Sequence, residues 1–299
     1  MRFFQCCLQP KPENKPLLKQ STPDLEYLTT NNRNHFKYNE GVFIKSNKRP
    51  FERNQILNEI KILSILKHNN ITEVVKTVST PLYAHIHMKR YLCDLLYWIY
   101  KSHSRLDTSE ILEGIIKGLH FCHEIGVAHL DLKLENILID NSTGKPVAKL
   151  TDFEFSKHYQ SKKTLTNCNF SARIPVRGTR PYYDPALTLS AKKNFHFVRT
   201  NPFKCDLFAL GVTLMLVIKS DYDTNLKPIF LPREKLEGYN DFSNHKETLR
   251  SETNELRKNT GSNTAITIER LLSYEGKHRG TTQDAVNNIK NIKNEIWPY

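Results

Sequence analysis

The stretch "VAHLDLKLENILID", residues 127–140, constrains this chain more than any other. Its apolar residues Val127, Ala128, Leu130, Leu132, Leu134, Ile137, Leu138 and Ile139 demand burial, yet His129, Asp131, Lys133, Glu135 and Asn136 lie among them. Burying an unpaired charge costs far more than burying a leucine returns, so the two sets must separate in space. The pattern predicts a loop whose apolar side chains are fixed in the core while Asp131, Lys133 and Asn136 converge on one cleft. "NILID" then reads as a short strand that turns through "NSTG" into "AKLTDF".

The flanking sequence supplies the scaffold. Residues 1 to 23 carry four prolines, several lysines and little apolar periodicity, and read as a flexible leader. "LEYLTT", "HFKY" and "GVFIKS" follow as three expected strands of a meander. Ile56, Ile60, Leu63 and Leu66, flanked by Leu57 and Ile62, repeat at helical spacing. A second helix is expected to open at Asp107 with an Asp107–Glu110 capping box and to stop at Gly126. Strands and one helix come first and helices dominate afterwards, which predicts an α+β, bilobal architecture with a small sheet-rich lobe and a larger helical one.

Composition excludes several alternatives. A chain of 299 residues with 38% apolar and 25% charged residues has ample core material and is not disordered as a whole. The longest apolar run, "LFALGVTLMLVI" at 207–218, is too short to span a bilayer and reads as a buried helix. No secretory signal is read at the start, lipid attachment at Cys6 and Cys7 is disfavoured, and the six cysteines lack metal-ligand spacing, so an intracellular chain with reduced cysteines is expected. The formal charge of +13 invites a nucleic-acid reading. No stacking or groove-reading motif accompanies it, and the lysines and arginines are spread along the chain. Nothing in the sequence specifies an oligomeric state.

"HLDLKLEN" resembles the catalytic loop of the protein kinase family, with Leu130 in place of an arginine. Its company strengthens the likeness. "VFIK" upstream is similar to the strand that carries the nucleotide lysine, a helix with Glu59 follows, and "TDFE" and "GTRPYYDPA" stand where the family has its metal-binding motif and the end of its activation segment. "CDLFALGV" resembles the buried helix beneath the catalytic loop. "MKRYLCDLL" resembles the hinge of kinases of large DNA viruses.

The resemblance implies a domain over 24–299, with the small lobe at about 24–88, a hinge at about 89–92 and the large lobe at about 93–299. It implies ATP and Mg²⁺ as cofactors and protein serine or threonine hydroxyls as substrates. Lys45 would neutralise phosphates and Glu59 would hold it by an ion pair. Asn136 and Asp152 would bind Mg²⁺, Asp131 would accept the hydroxyl proton, and Lys133 would meet the γ-phosphate. His129 is expected to pack near Phe153, and Asp206 to accept backbone N–H groups of the loop.

Departures from the family pattern set further expectations. No glycine-rich loop precedes Lys45; the matching turn is "TNNRNH". Phe43 replaces a small residue in the adenine pocket, beside the gatekeeper candidate Met88. Glu154 replaces a glycine, with backbone strain expected there and a carboxylate near the metal site that either helps bind Mg²⁺ or misplaces Asp152. Ala186 replaces the glutamate that pairs with Arg279, for which Asp184 is the candidate substitute. Leu130 cannot read a phosphate, so phosphorylation of Thr164, Thr166 or Ser171 is expected to be dispensable. Residues 155–177 hold five Lys/Arg and no Asp/Glu, which fits either acidic-substrate selection or a solvated loop. Asp94 fits either a ribose contact or a helix cap. Two functions stand side by side: an active serine/threonine kinase, and a pseudokinase that binds partners without turnover.

Overall fold

The computed structural model describes residues 34–39, 41–47, 49–101, 105–160, 170–222 and 242–296. The expected leader, the strand "LEYLTT", most of "TNNRNH", Thr164 and Thr166 lie outside them.

β1 (Asn34–Asn39) and β2 (Val42–Asn47) form an antiparallel hairpin, and Gly41 takes the φ of +81° that its turn requires. After α1 (Arg53–Ile65), β3 (Val74–Ser79) and β4 (Ala84–Lys89) complete a four-stranded sheet in the order β1-β2-β4-β3. Asn34 and His35 of the expected turn are therefore strand residues. β4 alternates strictly, with Ala84, Ile86 and Met88 buried and His85, His87 and Lys89 partly exposed. α1 lays Ile56, Ile62 and Leu63 on this sheet, and each buried side chain contributes about 1.5–3 kcal/mol. The helical repeat expected to include Leu66 stops short of it: Leu66 is extended, and Ile62 rather than Ile60 is the fully inward residue.

The larger part begins with β5 (Cys93–Asp94), α2 (Leu95–Lys101) and α3 (Arg105–Ile125). α3 starts two residues before Asp107, so the expected capping box does not open it. Gly126, at φ +90°, ends it as expected; a Cβ there would meet the Tyr159 carbonyl oxygen at 2.3 Å. β6 (Val127–Ala128), β7 (Ile137–Asp140) and β8 (Val147–Leu150) frame the loop at 129–136, and β9 (Lys157–His158) pairs with β6. β10 (Ala172–Pro175), α4 (Pro185–Lys192) and β11 (Phe197–Thr200) precede α5 (Pro202–Tyr222). This is the buried helix read from 207–218. Gly211 lets it approach α7 (Ser262–Leu271) closely, since a Cβ there would lie 2.9 Å from Leu271. α6 (Phe242–Asn259) and α8 (Thr282–Ile296) close the helical part. A strand-rich first part against a helical second part is the α+β architecture read from the sequence. Among the described residues no helix is long and apolar enough to cross a membrane.

Candidate active site

The loop after β6 separates its two residue sets as physics requires. Val127, Ala128, Leu132, Leu134, Ile137 and Ile139 are buried, and Leu130 turns into a second small apolar cluster with Ile174, Tyr183 and Leu187. Leu130 sits at φ +66°, a conformation that costs a non-glycine residue about 1–3 kcal/mol. Asp206 of α5 offsets that cost. Its carboxylate accepts the backbone N–H groups of His129 and Leu130, both at 2.7 Å, and meets His123 Nε2 at 2.9 Å. The His129 ring lies 4.7 Å from that of Phe153 and contacts the Thr151 carbonyl oxygen at 3.0 Å.

Held this way, the polar residues meet. Asn136 Nδ2 donates to the Asp131 backbone oxygen at 2.8 Å and to Asp131 Oδ2 at 3.1 Å. Thr179 Oγ1 donates to Asp131 Oδ1 at 2.9 Å, and Lys133 Nζ reaches both Thr179 Oγ1, at 2.8 Å, and Asp131 Oδ2, at 3.2 Å. Gly178 permits this closeness: a Cβ there would stand 3.2 Å from Asp131 Oδ1.

A second group gathers around Lys45 of β2. Its Nζ lies 2.7 Å from Glu59 of α1, 2.6 Å from Asp152 and 3.4 Å from Glu154. Glu59 is fully buried, and its other oxygen accepts the Phe153 N–H at 3.2 Å. Burial pushes the Glu59 carboxyl up to about 7, against the pull of Lys45. Burial also disfavours the Lys45 ammonium, but Asp152, Glu59 and Glu154 together outweigh it and raise its pKa well above the ordinary value. Asp152 is held below the usual carboxylate range because Lys45, with a smaller contribution from Lys133, overcomes its desolvation, so the charge of Lys133 reaches the group around Lys45.

Glu59, Asp152 and Glu154 offer oxygens that all lie within 4.8 Å of one another. Three carboxylates against one ammonium leave excess negative charge, and hard oxygen donors suit Mg²⁺. The donor set fits a divalent cation.

The strain expected at Glu154 is absent there. Among the described residues, the non-glycine positions with positive φ are Leu130, Asp152 (+65°) and Asn194. Asp152 bears the twist, and Asn58 of α1 secures the following segment by donating to the Glu154 and Ser156 carbonyl oxygens, both at 3.1 Å. Asp94 caps α2 through the Tyr97 N–H at 2.7 Å. Phe43 and Met88 are cross-strand partners. Asp184, the substitute candidate for Ala186, meets Arg279 at 3.0 Å in a buried pair. Thr179 and Asn58 were missed by sequence reasoning. Thr179 lies inside the "GTRPYYDPA" motif, and Asn58 carries no sequence signal beyond its place beside Glu59 on α1.

The family model described as protein kinase domain matches residues 29–289. The chain belongs to the protein kinase family. Relatives include a protein kinase domain-containing protein, ppk9, of Schizosaccharomyces pombe, 34% identical over 50% of this chain and 29% of that protein. NUAK family SNF1-like kinase 1 of Mus musculus is 31% identical over 54% of this chain and 22% of its own length. Serine/threonine-protein kinase PTK2 of Candida glabrata is 30% identical over 44% and 17%. This protein kinase spans less than a third of the length of these relatives.

Proposed function

We propose that residues 24–299 form one catalytic domain, hinged at about 89–92, that transfers the γ-phosphate of ATP, with Mg²⁺, to serine or threonine hydroxyls of proteins. The observation that carries this reading is the pair of polar clusters, Lys45–Glu59–Asp152 and Asp131–Lys133–Asn136–Thr179, with the Lys133 charge near enough to Asp152 to lower its pKa. Asp131 would take the hydroxyl proton as that oxygen bonds to the γ-phosphorus and the bond to the bridging oxygen breaks, releasing ADP. Lys133, raised in pKa because neighbouring carboxylates outweigh its burial, stays cationic towards the transferring phosphate. Lys45, oriented by Glu59, would take the α- and β-phosphates. Asp152 and the amide oxygen of Asn136 would hold Mg²⁺, which supplies charge neutralisation when bound. Lys133, two residues after Asp131, resembles the serine/threonine-directed branch of the family, and the relative PTK2 carries a serine/threonine-protein kinase name.

Leu130 supports independence from activation-segment phosphorylation. It packs on Ile174 and Tyr183, so apolar contact takes the place of a phosphate-reading cation.

One observation favours the second reading, a pseudokinase. Glu154 adds a third carboxylate against Lys45, the amine that phosphates need. Labelled γ-phosphate transfer to a panel of basic and acidic proteins, wild type beside Asp131→Asn, separates the two. Transfer by wild type and its loss in the variant supports the kinase; equal signals, or none together with absent Mg·ATP binding, support the pseudokinase.

A further inference from the structure

β10 and β11 form a two-stranded antiparallel sheet in which Arg173 and Arg199 are direct partners and Pro175 opposes Phe197. Its inner face, Ile174 and Val198, rests on the cluster that includes Leu130. Its outer face is exposed. Like charges placed directly opposite each other destabilise a sheet, and among the described residues no carboxylate pairs with Arg173, Arg177 or Arg199. Arg173 is steadied instead over the Phe197 ring, 4.3 Å from its centroid. Phe197 itself is 48% exposed, and its neighbour Phe195 57%. Exposed aromatics beside unpaired guanidinium groups have the composition of a protein-binding surface.

We infer that this face docks an acidic segment of the protein on which the kinase acts. The inference rests on the phosphotransfer reading for its context, because the strand runs directly to the reacting group. Val176 continues β10 by donating to the His196 carbonyl oxygen, and three residues later Thr179 bonds to Asp131. Six residues separate Thr179 from Arg173, at most about 20 Å of extended chain. Acidic side chains up to about six residues from the phosphorylated hydroxyl are therefore the complement. Charge and position together favour a peptide over a nucleic acid, whose phosphates would have no reason to lead to Asp131. This also assigns the selective part of the basic region. It lies on Arg173 and Arg177 of β10 and its continuation and on Arg199 of the partner strand β11.

The test is fluorescence anisotropy on the full chain, using a labelled serine peptide flanked by glutamates and its counterpart with glutamines. The glutamate peptide should bind tighter, and Arg173→Gln/Arg199→Gln should weaken it about tenfold while Lys61→Gln/Lys67→Gln, an equal charge change elsewhere, leaves it unchanged. Melting temperature shows that each variant is folded. Equal binding of the two peptides, equal losses in the two double variants, or preference for a single-stranded oligonucleotide of the same charge would overturn the inference. Charge-selective binding without any phosphate transfer would uphold this face and sink the phosphotransfer reading.

Discussion

At one end of the cleft a single ammonium, Lys45, faces three carboxylates; at the other a single carboxylate, Asp131, faces an ammonium, an amide and a hydroxyl. The first arrangement has surplus negative charge and attracts cations. The second satisfies one acid with several donors and fixes its orientation. The same residue types thus do opposite work, because each end sets a different ratio of acids to donors. The ends also differ in how they are held. Glu59 is anchored in the sheet-side core by α1, whereas Asp131 depends on a strained loop stapled by Asp206 from below.

The sharpest way to break this comparison is Asp131→Asn. Phosphate transfer should fall about 10²–10⁴-fold in single-turnover assays, with unfolding unchanged. Asp184→Ala probes the buried ion pair outside the cleft. It strands Arg279, whose other hydrogen bonds go to the carbonyl oxygens of Ser273, Lys204 and Tyr274, and should cost about 3–5 kcal/mol in denaturant unfolding. Glu59→Ala should cost about 3 kcal/mol, the lower end of that range, because Asp152 and Glu154 still flank Lys45. A loss as large as that of Asp184→Ala would show that the three acids do not share the lysine. Glu154→Gln should weaken Mg²⁺ binding about fivefold by calorimetry. Tighter binding would mean that this carboxylate misplaces Asp152. The smallest effect is expected from Ser171→Ala combined with Thr164→Ala and Thr166→Ala, with transfer changing by less than about twofold, well below any catalytic contribution.

Much of the cleft was legible because its residues follow short fixed spacings. His129 to Asn136 is one loop, "VFIK" places one charged residue, Lys45, at the end of an apolar run, and "TDFE" places two, Asp152 and Glu154, on either side of Phe153. What escaped was set by contacts between distant segments. Asn58 looks like an ordinary surface amide of a helix until residues 154–156 arrive to accept its protons. Glu154 predicted strain at its own backbone, but a positive φ falls where the chain turns, and that is Asp152. The start of α3 was misplaced because Asp107 and Glu110 satisfy a capping pattern that the helix overruns. The pairing of 172–175 with 197–200 has no local signature at all, since two four-residue strands flank an intervening helix.

The central claim is that one cleft joins a nucleotide-and-metal end to a proton-accepting end. Calorimetric titration of ATP into wild type, Asp131→Asn and Asp152→Asn, with and without Mg²⁺, tests it most directly. The account predicts Mg²⁺-dependent binding that survives in Asp131→Asn and collapses in Asp152→Asn. Binding that ignores Mg²⁺, or that Asp152→Asn leaves intact, would contradict it.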